Sequence, residues 1–486
     1  MSSLKQKTIS GVLWSAVDSF SAQGITFLVG IVLARLLTPK EFGLIGMITI
    51  FIALSQSFID SGFSSALIRK KNCTETDYST VFYFNLITGI FLFGVLFFSA
   101  PFISNFFKEP QLKNLVQVLA TVLIINSLTI IQRTTLTKRI DFKLQTKISV
   151  ISSVFSGIVG ITMAYNGFGV WSLAFKTISQ QGMNSFLLWV WNRWRPMLVF
   201  SMQSFRELFS FGSKLLLSGL IDTAYRNIYY LVIGKYFSAQ ELGFYTRAQM
   251  FNDFPSKNLN SIMSRVTYPV LAQLQDEPVK LKAGYKRMIK SVMFVSMILM
   301  AGLAAIAEPL VITLIGEKWR PSIIYLQLLT FVGMMYPLHA LNLNMLQVQG
   351  RSDLFLRLEI IKKLLAIPTI IIGIIWGIQI MIIGMWVNTL IAYYLNSYWT
   401  GRFIKYPMRE QVADIMPGFL LAVFVGFLVY LIGWLIPVGH LLKLIIQIIT
   451  GGLLTIAFSE FFKFDAYMEL RNIASVQLTA LRNARK

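Results

Sequence analysis

In 486 residues there is one cysteine, Cys73, and there are two histidines, His339 and His440. A single thiol cannot close an internal disulfide and excludes a cysteine-rich metal site. The histidines are far apart in sequence, with no Cys or carboxylate pattern beside them, so neither a metal nor any other cofactor is expected. Charge is also scarce. Asp, Glu, Lys and Arg make up 14% of the chain, against roughly 25% in ordinary soluble domains. No long polar segment interrupts the sequence, which leaves no room for an extramembrane domain. A cleavable leader is not expected either. Residues 1–8 are polar, and the first apolar stretch is too long for a signal peptide and shows no cleavage site.

What fills the chain is apolar sequence. Hydrophobic residues make up 55% and the mean hydropathy is +0.64. The apolar runs are continuous and about as long as the ~20 residues that cross a hydrocarbon core as a helix. Membrane β-barrels would show ~10-residue alternating strands instead. The expected fold is therefore an all-α membrane protein with about 14 transmembrane helices. The spans fall near 9–37, 42–66, 78–104, 112–136, 146–165, 169–192, 209–237, 241–272, 288–315, 324–348, 356–376, 379–401, 413–436 and 441–462.

The net charge of +22 follows from how those spans are oriented. Lys and Arg resist translocation and collect in cytoplasmic loops. With an even number of spans, 30 of the 44 basic residues fall on the side of the two termini and eight on the other. That asymmetry places both termini in the cytoplasm and makes nucleic acid an unnecessary partner.

The halves resemble each other. Ala34-Arg-Leu-Leu-Thr-Pro-Lys-Glu-Phe-Gly43 returns as Gly234-Lys-Tyr-Phe-Ser-Ala-Gln-Glu-Leu-Gly243, 200 residues later. Arg139-Ile-Asp-Phe142 returns as Arg351-Ser-Asp-Leu354, 212 residues later. Six spans per half, an even number, give a parallel pseudo-repeat about an axis along the membrane normal. The expected organisation is a first lobe over 1–200 (spans one to six), a second over 201–407 (spans seven to twelve), and 408–486 carrying two extra helices and a cytoplasmic tail. In that tail Tyr467, Leu470, Ala474, Leu478 and Leu481 share a face flanked by Arg471 and Arg482. This pattern suits an interfacial helix on an anionic leaflet, the alternative being a frayed terminus.

Several segments carry a family resemblance. They are Leu33-Ala-Arg-Leu-Leu-Thr-Pro-Lys-Glu-Phe-Gly43, Asp60-Ser-Gly-Phe-Ser-Ser-Ala-Leu-Ile-Arg-Lys70, Gly167-Phe-Gly-Val-Trp-Ser-Leu173, Ile233-Gly-Lys-Tyr-Phe237 with Leu242-Gly-Phe-Tyr245, Val266-Thr-Tyr-Pro269, Gly316-Glu-Lys-Trp-Arg-Pro321 and Gly350-Arg-Ser-Asp353. Together they span about residues 8–405. The ensemble resembles the polysaccharide-transporter branch of the multidrug/oligosaccharidyl-lipid/polysaccharide flippase superfamily. The resemblance implies two six-helix lobes around a central cavity, alternating access, and export of undecaprenyl-linked sugar units for lipopolysaccharide, capsule or similar polymers across the bacterial inner membrane. Members often place an acid in the middle of span seven. Here Asp222 lies one turn before Arg226, and Asn227-Ile-Tyr-Tyr230 follows without one.

Charges inside spans are the residues that point to function. Each costs ~2.5–3.5 kcal/mol at mid-bilayer unless it faces a cavity or a partner. In span seven Lys214, Ser218, Asp222, Tyr225, Arg226 and Tyr229 share one face, and Asp222 and Arg226 are spaced to pair. This face is either a translocation surface or a packed ridge with a neutralised ion pair. In span eight Arg247, Asp253, Lys257 and Arg265 share a face, unless the segment lies on the membrane surface as an amphipathic helix. Pro255 and Pro269 are expected to kink it and to disrupt its last turns. Asp18 of span one either lines the cavity or binds a neighbouring helix. Arg357, Glu359, Lys362 and Lys363 are read mainly as cytoplasmic anchors.

A cavity lined by Lys214, Arg226, Arg247, Lys257 and Arg265 suits the diphosphate of a lipid-linked oligosaccharide. Asp18 and Asp222 are left to bind sugars or respond to protons. Partners implied are that substrate, membrane lipids, a coupling ion (H+ or Na+) and polysaccharide-assembly enzymes. A multidrug cation antiporter of the same fold is the alternative, but the cavity residues lean basic. A membrane polymerase or glycosyltransferase would need a positioned acid, base or metal on a sizeable loop, and the sequence has none. A non-transporting scaffold would not need so many intramembrane charges.

Overall fold

Among the residues described by the computed structural model, 21–472 and 475 with the side chains of 260–270, 272 and 352 excepted, all regular structure is helical. Two compact units divide the chain between Thr246 and Arg247. The first holds α1 (Ser21–Leu36), α2 (Pro39–Asp60), α3 (Phe63–Arg69), α4 (Glu75–Phe107), α5 (Leu112–Ser127), α6 (Ile130–Lys138), α7 (Phe142–Tyr165), α8 (Val170–Trp191), α9 (Met202–Tyr236) and the start of α10 (Ala239–Gln273). The second holds the rest of α10, then α11 (Pro278–Ala305), α12 (Ala307–Ile315), α13 (Ser322–Val348), α14 (Ser352–Trp376), α15 (Ile378–Ile404), α16 (Met408–Leu435) and α17 (His440–Phe461).

Among the described residues nine spans, by length and composition, can cross a membrane: α2 with α3, α4, α5 with α6, α7, α11, α13, α15, α16 and α17. The fold is thus an all-α, multi-span membrane fold. Their large outward side chains, such as Phe98, Phe102, Leu441 and Phe461, are exposed as lipid-facing residues must be. Helix starts are written in the sequence. Thr74 and Asp77 cap α4 reciprocally, Thr74 N–H donating to Asp77 Oδ2 (2.9 Å) and Asp77 N–H to Thr74 Oγ1 (3.2 Å). Ser201 and Asp141 accept from the first turns of α9 and α7.

α10 is helical from Ala239 to Gln273, through Pro255 and through Pro269, where the sequence leads one to expect disrupted last turns. The breaks fall where no proline stands. α2 gives way to α3 at Ser61 and Gly62, both in the left-handed region (φ 46° and 69°), and α5 gives way to α6 at Leu128 and Thr129.

The segments that look alike in sequence meet in space. Thr38 N–H donates to Glu41 Oε2 (2.6 Å) at the start of α2, and Glu241 N–H donates to Ser238 Oγ (3.1 Å) at the start of α10. The two first turns then cross. A Cβ on Gly43 would strike the carbonyl of Ala239, and one on Gly243 would strike the carbonyl of Pro39. Only glycine permits that approach. A second close approach seats the α2–α3 break on α9: a Cβ on Gly212 would lie 2.7 Å from Ser61 O. Ser57 Oγ and Thr223 Oγ1 are bonded at 2.9 Å farther along the same pair.

Candidate functional site

α9 packs on α2 through Gly212, Thr223 and Gly234, so its remaining face carries the polar residues. Lys214 and Arg226 are exposed there and Asp222 is half-buried. Arg226 Nε lies 2.7 Å from Asp222 Oδ2, making the pair that the i,i+4 spacing predicts. On α10 a second such pair forms, which the sequence reading passed over. Lys257 Nζ lies 2.6 Å from Asp253 Oδ2. Arg247 is half-buried, its Nη1 3.2 Å from Met250 Sδ. Lys214, Asp222 and Arg226 belong to the first unit, Arg247 and Lys257 to the second. Asp18 and the Arg265 side chain lie outside the described residues. In α14, Lys362 is bonded to Glu359 and only 14% exposed.

Two further polar assemblies escaped the sequence reading. In the first unit, a cavity of about 280 Å³ opens between the two broken helix pairs, α2–α3 and α5–α6. Gln56, Asp60, Asn126, Arg133, Thr134 and Thr137 supply its polar wall. In the sequence Asp60 stands inside a family segment, and Arg133 is one basic residue among the 44. The usable signal was a turn-forming Asp60-Ser-Gly62 and a polar Asn126-Ser-Leu-Thr129 inside otherwise apolar runs.

At one end of the second unit, α11 and α16 are laced together by charge. Lys282 and Lys286 reach Glu410 at 2.8 and 3.1 Å, and Lys286 and Lys290 reach Asp414 at 3.0 and 3.4 Å. Tyr406 OH donates to Asp414 Oδ2 (2.7 Å). Burial, together with that bond, holds the Tyr406 phenol well above its usual pKa. The start of the tail docks on this assembly. Lys290 lies 3.4 Å from Asp465, Arg287 pairs with Glu469, and Tyr467 and Leu470 pack with Phe294, Leu421 and Val425. The remaining apolar positions of the tail face, Ala474, Leu478 and Leu481, lie outside the described residues.

A comparable cluster ties the first unit. Lys70 lies 3.1 Å from Asp77 and 3.0 Å from Glu207. Burial works against the Lys70 ammonium, but the bonds to Glu207 and Asp77 outweigh it and raise its pKa. Lys138 Nζ meets Leu67 O (2.9 Å) and Cys73 Sγ (2.8 Å). Among the described residues no group of His, Cys, Asp or Glu is arranged to hold a metal.

These helices make a multi-span membrane protein that carries charged side chains on long helices. Residues 32–324 match the family described as polysaccharide biosynthesis protein, and the chain belongs to that family of flippases within the multidrug/oligosaccharidyl-lipid/polysaccharide flippase superfamily. It is a transporter and not an enzyme. The chain is similar to the teichuronic acid biosynthesis protein TuaB of Bacillus subtilis, 29% identical over 444 residues that cover 88% of this chain and 90% of that one. It is also similar to the lipopolysaccharide biosynthesis protein WzxC of Escherichia coli, 27% identical over 401 residues, 81% of this chain and 80% of that one. Among solved structures the lipid II flippase MurJ, in its inward closed conformation, superposes with a TM-score of 0.78 at 16% identity, over 93% of this chain and 99% of that one. That likeness establishes the fold.

Proposed function

We propose that this protein flips polyprenyl-diphosphate-linked oligosaccharides across the bacterial plasma membrane by alternating access of two six-helix lobes, with both termini in the cytoplasm. The observation that carries the reading is charge on α9 and α10, two 35-residue helices in a family of polysaccharide flippases. Besides the nine-residue α12, five helices, α1, α8, α9, α10 and α14, fall outside the nine long apolar spans. Counted as spans they complete the fourteen, and the charge on α9 and α10 suits helices that line a water-filled route rather than lipid. Arg226 and Lys257 each rest against a carboxylate one turn away. A substrate diphosphate competes with the carboxylate for either cation, so each pair is neutral at rest and offers a cation when the anion arrives. Asp18, Lys214, Arg247 and Arg265 complete the set, and the freed Asp222 serves sugar hydroxyls or a coupling ion, H+ or Na+.

The test is export in a strain lacking other flippases. Neutralising Arg226, Arg247 or Arg265 is expected to accumulate lipid-linked oligosaccharide on the cytoplasmic face at normal protein abundance. Arg→Lys restores it only partly, because lysine loses the bidentate fork. Lys362→Gln and Lys363→Gln do less. Wild-type export by all the arginine variants removes the diphosphate site and favours a cation antiporter. Cys73 reads the orientation: labelling by an impermeant thiol reagent in intact spheroplasts overturns the cytoplasmic assignment.

A further inference from the structure

We propose that the cavity between α2–α3 and α5–α6 is a sugar-binding subsite, built for a single neutral hexose ring of the transported glycan. The inference rests on the flippase reading above and adds where in the first unit, and by what chemistry, the sugar is held.

The backbone supplies the first argument. A helix interrupted inside a membrane frees carbonyls and amides that lipid cannot satisfy, so interruptions persist only where protein buries them or a polar cavity receives them. Here two neighbouring spans are interrupted beside one cavity. One interruption uses left-handed backbone at Ser61 and Gly62, held by the close approach of Gly212. At the other, Thr129 Oγ1 donates back to Asn126 O (2.8 Å). In transporters, discontinuous helices of this kind form substrate sites.

The side chains decide what the site takes. Each sugar hydroxyl both donates and accepts, so a sugar site needs both kinds of partner in near balance. The Asp60 carboxylate accepts from two adjacent hydroxyls, the Arg133 guanidinium donates to two oxygens, and the amides of Gln56 and Asn126 do either. The acid and the base cancel. A diphosphate or a uronate would meet Asp60, and a bare cation would meet Arg133. Ile68 and Ile130 complete the wall and suit the C–H face of a pyranose ring. Ser64 Oγ donates to Asp60 Oδ1 (2.5 Å), and Thr134 Oγ1 lies 3.2 Å from Ser64 Oγ. Asp60 is therefore oriented before any ligand enters, which lowers the entropic cost of binding. A volume of about 280 Å³ is enough to seat one ring, with the rest of the glycan leaving through the open side.

The experiment uses the full-length protein in lipid nanodiscs. Its probes are undecaprenyl diphosphate, bare or carrying one glucose, galactose, N-acetylglucosamine or glucuronic acid. At least one neutral hexose is expected to tighten binding about tenfold over the bare lipid, and glucuronic acid to add nothing. Asp60→Asn, Thr134→Val and Gln56→Ala are each expected to reduce that gain, Asp60→Asn to near unity, while affinity for the bare lipid and the melting temperature stay at wild type. Gln56→Ala and Thr134→Val carry the test if Asp60→Asn does not fold. Variants that keep the whole sugar gain overturn the subsite and leave the flippase reading standing. A wild type that gains nothing from any neutral sugar, or as much from glucuronic acid, also overturns it. A wild type that binds neither bare nor sugar-bearing lipid removes the functional reading, and this inference falls with it.

Discussion

Both units tie helices with charge, the first at Lys70, Asp77 and Glu207, but they differ in how much space they leave beside polar groups. In the second, Lys282, Lys286 and Lys290 are spent on Glu410, Asp414 and Asp465, and the result is a laced helix pair with the tail docked on it. In the first, broken helices leave a cavity walled by Asp60, Arg133 and uncharged polar side chains. Glycine usage differs too. The first unit brings backbone onto backbone at Gly43 and Gly243, whereas a Cβ on Gly426 in the second would sit 3.3 Å from Ala301 O. Charges saturated by neighbours hold helices together. Polar groups gathered around space can reach a ligand that enters it. Abundance of charge therefore does not locate a site, and unfilled volume beside interrupted helices does.

The glycine contrast yields the largest expected effect. Gly43→Ala and Gly243→Ala each force a methyl into a carbonyl of the opposing first turn. The cost is expected at or above ~3 kcal/mol, the upper end for over-packing. Folded protein recovered by size exclusion should fall severalfold. Gly426→Ala asks its neighbour to yield only a few tenths of an ångström and should cost about 1 kcal/mol. Equal tolerance of Gly43→Ala and Gly426→Ala breaks the comparison, because the crossing would then be loose.

The lysine ladder comes next. Asp414 is 12% exposed and accepts from Lys286, Lys290 and Tyr406. Asp414→Asn removes the charge that three donors share and one of its two acceptor oxygens, and is expected to cost ~2–3 kcal/mol, as for hydrogen bonds to buried charges. Glu410 is 33% exposed, so Glu410→Gln should cost under ~1 kcal/mol. Melting temperatures of the two variants in one detergent decide it. A larger drop for Glu410→Gln would mean that solvent does not screen the outer rung.

Much of the fold was legible because hydropathy is a bulk property. The runs that become α2, α4, α11, α13, α15, α16 and α17 need no tertiary information to be seen. The likeness of 34–43 to 234–243 was legible as well, and its physical content is the glycine crossing. The Asp222–Arg226 pair was readable because one helix turn fixes it, and Asp253–Lys257 follows the same rule although it went unremarked. The cavity was not legible. Its residues come from four helices, and each looks ordinary in its own segment: Asp60 in a turn, Arg133 in a basic cluster, Asn126 in an apolar run. The lysine ladder was hidden for a related reason. Lys282 and Glu410 are 128 residues apart, and positive charge near a membrane surface already has an explanation in topology.

The smallest stability effect is expected at Asp222 and Arg226, and its smallness is what makes the pair informative. Their side chains are 40% and 67% exposed, so an i,i+4 bridge contributes only ~0.3–0.5 kcal/mol where water reaches it. Asp222→Asn, Arg226→Gln and the double variant should all be recovered at wild-type abundance, with melting temperatures nearly unchanged. Transport should behave differently. If Asp222 holds Arg226 neutral until an anion arrives, Asp222→Asn leaves the cation uncompensated and tightens anion binding, while Arg226→Gln weakens it. The double variant should resemble Arg226→Gln alone, because Asp222 then has no cation to neutralise. Binding of bare undecaprenyl diphosphate to the three variants reads this directly. Additive changes in the double variant would show that the two residues act on the lipid independently. A large loss of folded protein in either single variant would instead place the pair in a dry interface, like Asp414, where an unpaired charge is costly.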